Sequence, residues 1–422
     1  MSGKREALSN VGGPVEARGD AAFRFVLAAA MAAQDSGAEE RRSAAPGQVD
    51  PDEQGQLLVE RDALTHGFHA YPARMHPAIA RVILSELSLG PGSEVLDPFC
   101  GSGTVAVEAM VAGWRALGSD LDPLALRVAR VKTERRSSKE RDRFVHRCAE
   151  VAEASERRVR DRVEVRAQLS AEERAWYDVH VLKELAGLLE EIRKVEHEAD
   201  RRALEMVFSA IVVKFSRQRA ETAARSSGKH IRKGLPTEFF MRKGEELARC
   251  WAELEAAVPR SHHGPRFVLS DARTLPQTLA GEYRCDLVLT SPPYGGTYDY
   301  LTHHARRHAW LGLNPKQLRE REIGARRQLS GKREGARDRW DAQMLAVLEA
   351  IAGLLAPEGV AVFLVGDAEL GGAREPADVQ LGRLVDAAEL EVVAVASQPR
   401  PDWRGGPPRR EHLVAMRPRG LM

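Results

Sequence analysis

The run from Ser93 to Gly113 constrains this chain more than any other: a short apolar strand, "SEVLDPF", enters a glycine turn that feeds directly into a helix, "GSGTVAVEAMVAG". Glycine lets a backbone turn sharply and lets a ligand approach without interference from a Cβ. The first turn of the helix that follows offers free N–H groups to an anionic group. A second strand, "RALGSDL", and a second helix from Leu124 continue the pattern. Strand, helix, strand, helix is the front half of a doubly wound, mostly parallel α/β sheet. The turn is not a dinucleotide fingerprint, because Val105 and Ala106 follow Gly103 where a third glycine would be needed, and it has no P-loop lysine. NAD and ATP are therefore disfavoured. Asp120 ends the second strand about 20 residues beyond the turn, where a carboxylate can take ribose hydroxyls. Asp122 suits the N-cap of the helix that starts near Pro123.

The rest of the chain divides around this unit. Residues 1–60 are rich in Gly, Ala, Ser, Glu and Gln, with a short helix near Ala21 to Ala33, and read as a flexible segment. Residues 61–135 form the first half of the sheet domain. Residues 136–259 carry long charged stretches with helical periodicity and no convincing strand, and so read as a helical insertion. Residues 260–422 supply the remaining strands: "RFVLSDA", "CDLVLTSPPY", "GVAVFLVGDA", "EVVAVAS" and "HLVAM". Cys100, Cys148, Cys250 and Cys285 are widely spaced without a CxxC pair, so they read as reduced thiols and not as a zinc site. With no long apolar span and no signal-peptide pattern, a soluble cytoplasmic protein without membrane contact is expected.

The strand "CDLVLT" leads into Ser291-Pro292-Pro293-Tyr294. Two prolines stiffen that turn and remove backbone donors. An aromatic amine is a poor nucleophile because its lone pair is delocalised into the ring. A Ser side chain and the main-chain carbonyl at the first Pro can accept its N–H groups and favour a pyramidal nitrogen, while a Tyr can stack on an extruded base. Such a transfer needs no nucleophilic cysteine and no metal. His303, His304 and His308 lie at helical spacing and are read as a polar helix face.

With both motifs in one chain, the sequence resembles the amino-methylating DNA methyltransferases of restriction-modification systems. Asp97 to Thr104 matches the family's cofactor loop and Ser291 to Tyr294 its catalytic motif. The resemblance implies S-adenosylmethionine as cofactor, held by Asp97, Pro98, Phe99, Gly101, Gly103, Thr104 and Asp120. It further implies that "FHAYPARMHP", with Tyr71 and Pro72, holds the methionine part and that Asp271 lies near the adenine. Ser at position 291 implies cytosine N4 as the target, with adenine N6 or an RNA amino group as alternatives. Double-stranded DNA with a flipped base is the implied substrate, and a cognate restriction endonuclease the implied partner. A binding protein that keeps the fold without activity is the reading from another class. The formal charge of +2 decides nothing here, so the distribution of charge matters. The helical insertion 136–259 is expected to recognise the target: basic residues outnumber acidic ones between Lys214 and Lys243, and Arg225, Lys229, Arg232 and Lys233 are expected to contact nucleic acid. A second basic run extends from Arg306 to Arg339, joined to the catalytic turn through Gly295 and Gly296, which are expected to let the segment close over a base.

Overall fold

The computed structural model describes residues 12–35, 62–87, 89–90, 92–163, 167–218, 231–281, 283–329, 335–401 and 408–420. In chain order, and leaving aside shorter helical turns, they form β1 (Glu16–Gly19), α1 (Ala21–Ala33), α2 (Pro77–Glu86), β2 (Glu94–Asp97), α3 (Thr104–Ala112), β3 (Arg115–Asp120) and α4 (Pro123–Lys132). Four long helices follow: α5 (Ser138–Arg160), α6 (Val179–Arg193), α7 (Glu198–Val212) and α8 (Leu235–Ala257). The chain then returns to the sheet through β4 (Arg266–Leu269), β5 (Cys285–Thr290), α9 (Tyr300–Leu311), α10 (Lys316–Arg321), α11 (Ala336–Ala352) and β6 (Leu355–Gly366). A small ribbon of β7 (Ala368–Leu370) and β8 (Ala373–Glu375), then α12 (Ala377–Leu384), β9 (Leu390–Arg400) and β10 (Arg409–Pro418), complete it.

Eight strands make one sheet in the order β1-β9-β10-β6-β5-β2-β3-β4. Pairs β2–β3, β3–β4, β2–β5 and β5–β6 are parallel, whereas β10 runs antiparallel to both β6 and β9. From β2 the chain winds outward through β3 to β4, then returns to lay β5 on the other side of β2. The reversal between β2 and β5 is a topological switch point, and in such sheets the ligand crevice opens outside the strand C-termini there. Asp97 ends β2 and Ser291 directly follows β5. The two sequence motifs are therefore neighbours because of the winding.

Burial explains the composition of these elements. All four residues of β2 are buried, as expected of a parallel strand covered on both faces. Helix α3 is buried from Thr104 to Met110, so it carries apolar residues all round and no polar stripe. Asp122 caps α4 by accepting the Leu124 N–H at 2.8 Å.

Within residues 136–259 the long elements are the helices α5 to α8, and they share a core with the sheet domain. Phe68, Leu124, Val128, Val131 and Trp310 pack with Phe144, Leu185, Phe208, Phe240 and Trp251 in one apolar cluster. Trp251 Nε1 donates to the Val131 carbonyl at 2.8 Å across the same boundary.

The expectation of a flexible segment over residues 1–60 does not hold for residues 12–35. There β1 pairs with β9, and α1 buries Val26, Leu27, Ala30 and Met31 against α2 and the sheet. Leu27 and Met31 are among the largest fully buried side chains, and the alanines between them let the helix pack closely. Residues 36–60 lie outside the described residues.

Candidate active site

An open cavity of about 870 Å3, counting space continuous with solvent, lies at the switch point. Its walls include Asp97, Pro98, Phe99, Gly101 and Thr104 from the loop after β2, and Asp120 from the end of β3. Asp271 and Tyr71 also line it, and Ser291 and Pro293 of the catalytic turn face the same space. Most of the residues singled out from the sequence are thus brought together. Pro72, Gly103, Pro292 and Tyr294 are not on the wall.

Gly101 and Gly103 have φ of +47° and +80°, a region that L side chains rarely adopt. A Cβ on Gly101 would also lie 3.0 Å from the Tyr71 ring, and one on Gly103 would lie 2.9 Å from the Ala129 methyl. Gly103 therefore serves packing against α4 and lies behind the wall. The loop is held from beneath by Asp120, whose carboxylate accepts the Gly101 N–H at 2.9 Å and the Asp122 N–H at 2.8 Å. Asp97 is fixed by the Thr290 hydroxyl at 2.6 Å and the Phe99 N–H at 3.1 Å, which ties β2 to the end of β5.

Burial pushes the Asp97 carboxyl up to about 7, against the hydrogen bonds from Thr290 and Phe99. Burial also lifts Asp120 to about 7, reinforced by the neighbouring Asp122 carboxylate. Both are acids tuned by desolvation, a pattern that clusters at functional sites. Asp271 is clamped by Arg273, with Nε and Nη2 at 2.9 and 2.6 Å. Two buried hydroxyls on the loop, Ser102 Oγ and Thr104 Oγ1, have no hydrogen-bond partner among the described residues. An adenosine-bearing amino acid fits this donor set. The hydroxyls and the α3 N-terminus suit a carboxylate, Asp120 suits ribose hydroxyls, and Phe99 and Ile323 give apolar walls for a purine.

The catalytic turn is braced from behind. The Tyr294 ring lies on Gly366, where a Cβ would come within 2.5 Å of it, and the phenol donates to Glu411 Oε1 at 3.1 Å. Ser291, three residues before it, faces the cavity. Burial, with the nearby Glu411 carboxylate, holds that phenol well above its usual range, so it stays protonated.

Several expectations are corrected around this site. Gly295 and Gly296 do not free the following segment. A Cβ on Gly295 would meet Trp340 at 2.9 Å, one on Gly296 would meet the Glu369 carbonyl at 2.0 Å, and Glu369 N donates to Gly295 O at 2.9 Å. These glycines permit close packing. His304 and His308 are not a polar helix face: both are buried and hydrogen-bond Asp122 at 2.6 and 2.8 Å. The second basic run is largely engaged internally. Arg306 lies over the Trp176 ring at 3.6 Å, Arg307 is buried against the Ser209 carbonyl, and Arg327 pairs with Asp299 and Glu322. In the first run Lys214 and Arg242 both sit on the Phe239 ring, Arg232 pairs with Glu238, and Lys233 is exposed. Arg225 and Lys229 lie outside the described residues.

Sequence reasoning missed Arg74, Ser270, Leu318, Arg321 and Glu322 on the wall. Arg74 stood within a quoted motif, but only the fold reveals that the α10 region closes the cavity.

Residues 68–171 match the family described as RMKL-like, methyltransferase domain. The chain is 38% identical over 82 residues to the Type II methyltransferase M.MvaI of Kocuria varians, covering 19% of this chain and 18% of that protein. It is 40% identical over 52 residues to the tRNA (guanine(10)-N2)-dimethyltransferase of Methanothermobacter thermautotrophicus, covering 12% of this chain and 16% of that one. Type II methyltransferase M.MjaII of Methanocaldococcus jannaschii is 33% identical over 76 residues, 18% of this chain and 14% of that protein. The chain thus spans less than a fifth of the length of these curated relatives. The rRNA methyltransferase AviRa from Streptomyces viridochromogenes superposes with a TM-score of 0.33 at 14% identity, over 88% of this chain and 94% of that one. TrmN from Thermus thermophilus gives 0.30 at 16% identity, over 81% and 49%. At these scores the likeness adds nothing to the strand order already described. The segment that carries β2, α3, β3 and α4 is thus similar to a methyltransferase domain, and S-adenosylmethionine is the cofactor that the residues of the cavity fit.

Proposed function

We propose that this chain methylates an exocyclic amino group of DNA, with cytosine N4 as the target atom and S-adenosylmethionine as the donor. The observation that carries the reading is the shared cavity: Ser291 and Pro293 of Ser-Pro-Pro-Tyr line the same space as the Asp97–Thr104 loop. When bound, S-adenosylmethionine supplies an electrophilic methyl on sulfur. Tyr71 and the α3 N-terminus would hold its methionine part, Asp120 the ribose and the Asp271 side the adenine.

The chain's own residues then act on the amine. Tyr294 donates to Glu411 behind the turn, and Ser291 lies on the cavity wall, where the lone pairs of its Oγ can accept an N–H of the target. The Pro292 carbonyl is the second acceptor. Together they favour a tetrahedral nitrogen whose lone pair forms the new N–C bond as the S–C bond breaks, with the nitrogen's proton released to solvent. Fixed acceptors and exclusion of water carry such a reaction without a covalent intermediate.

Resemblance to restriction-modification enzymes supports DNA, a cytoplasmic setting and a cognate endonuclease as partner. Among the described residues no helix is long and apolar enough to cross a membrane. A second reading, an RNA amino group, is favoured by the similarity to the tRNA guanine-N2 enzyme. Incubating the chain with methyl-labelled cofactor and either duplex DNA or tRNA, then digesting to nucleosides, separates the readings. N4-methylcytosine is expected. N6-methyladenine or a methylated guanine would redirect the assignment, and no label in any nucleic acid would overturn it.

A further inference from the structure

The fold joins the two sides of the cavity through one buried carboxylate. Asp122 follows β3, lines the cavity and caps α4. Its other contacts come from across the site: His304 Nδ1 at 2.6 Å and His308 Nε2 at 2.8 Å, both on α9. That helix begins at Tyr300, itself on the cavity wall, a few residues beyond the catalytic turn. The His304 ring also packs on Tyr71, with centroids 4.7 Å apart, and Tyr71 lines the cavity as well. One imidazole therefore touches a wall residue from the segment before β2, one from the β3–α4 turn, and the helix after the catalytic turn.

Three such ligand atoms lying within 4.8 Å of one another raise the question of a metal. The hydrogen bonding argues against it. A metal-bound imidazole donates its far N–H to a second partner, yet His304 Nε2 and His308 Nδ1 have none among the described residues. A neutral imidazole that donates its near N–H leaves only a lone pair on the far side, which is cheaper to bury than a donor. Burial lowers the His304 imidazolium below its usual range and so favours that neutral form. The two histidine bonds hold the Asp122 carboxyl well below its usual range despite burial.

Resting on the methyltransferase reading, we infer that Asp122, His304 and His308 form a positioning clasp that fixes α9 and Tyr300 against the cofactor cavity. Cofactor binding thereby depends on residues that belong to the target side of the site. By linkage, whatever factor the bound cofactor exerts on a target that engages α9, that target exerts on the cofactor.

The test is calorimetric binding of S-adenosylhomocysteine to the full chain, with melting temperature measured in parallel. His304→Phe keeps a ring on Tyr71 and loses the donor, and His308→Leu loses the other. Each should weaken binding by about tenfold or more, as for loss of a hydrogen bond to a charged group. His308→Gln replaces the Nε2 donor and should restore near-parental affinity, a rescue that a merely space-filling role would not produce. Should His308→Leu fail to fold, the His304→Phe and His308→Gln pair decides the matter. Parental affinity in His304→Phe, or lowered melting with unchanged affinity, overturns the clasp and leaves the methyltransferase reading standing. One equivalent of zinc or another divalent metal in the purified chain, lost together with affinity on chelation, overturns it in favour of a metal site. No binding by the parent refutes the function and the clasp with it.

Discussion

Gly366→Ala should silence catalysis from behind the active site. Gly366 ends β6 opposite Glu411 in the β6–β10 ladder, and the Tyr294 ring lies directly over it. A Cβ there would come within 2.5 Å of two ring carbons, whereas carbon atoms pack at about 3.5–4.0 Å. The strand is bonded on both sides and cannot retreat, so the ring must withdraw by about 1 Å. Overpacking of this kind costs about 1–3 kcal/mol in stability. The catalytic consequence is larger. Moving the ring disturbs the Tyr294–Glu411 hydrogen bond and with it the Ser291–Tyr294 turn, and a misplacement of about 1 Å can cost about 10²-fold in rate. Neither Gly366 nor Tyr294 lines the cofactor cavity, so S-adenosylhomocysteine affinity should stay at the parental value. Methyl transfer under saturating cofactor, with binding measured separately, gives both quantities. On a Tyr294→Ala background the obstruction is gone, and Gly366→Ala should add almost no further loss. A folded Gly366→Ala chain that turns over within a factor of a few of the parent would refute the bracing argument.

Ser291→Ala should lower kcat by about 10²–10³-fold with cofactor affinity retained, read by single-turnover kinetics, because an acceptor felt in the transition state is lost. Cofactor affinity should rise as pH increases from about 6 to about 8, since Asp97 and Asp120 titrate near 7 and donors on the ligand favour their ionised forms. These acids are raised in the fold, so over the same rise in pH the ligand-free chain should become less stable. A flat affinity profile would discount both carboxylates. Leu27→Ala should destabilise by about 2–5 kcal/mol in a denaturant titration, as for a core leucine; an unchanged midpoint would restore the flexible reading of residues 12–35.

What was legible in the sequence followed a simple rule. The β2–loop–α3 unit declared itself because its glycines and apolar run are local, Asp120 was found by its place at a strand end, and Asp97 and Asp271 came with the family resemblance. Features that depend on distant packing were not legible. Nothing in "YGG" separates a hinge from a close approach until Trp340 and Glu369 are seen against it. The histidines of α9 looked polar because the sequence could not reveal that Asp122 lies opposite them. Arginines 306, 307 and 327 counted as free charge until Trp176, Ser209 and Glu322 were found beside them. Helix α1 was read at Ala21 to Ala33, but its docking was not, since the surfaces that cover Leu27 and Met31 come from α2 and the distant strand β9.

The shared core beneath the insertion bears on how this chain can diversify. A module that recognises different targets is simplest to exchange when it meets its scaffold at a polar surface. Here Leu124, Val128 and Val131 of α4 and Trp310 of α9 are floor tiles for α5 to α8. Cutting at residues 136 and 259 would strip apolar cover from the helix that Asp122 caps and from the helix that carries Tyr300. On the proposal that the insertion recognises the target, new specificity would come by substitution on the outer face of these helices or in the segments joining them, with the inner face held constant. Grafted whole onto another sheet, the four helices would arrive without the surface that completes them.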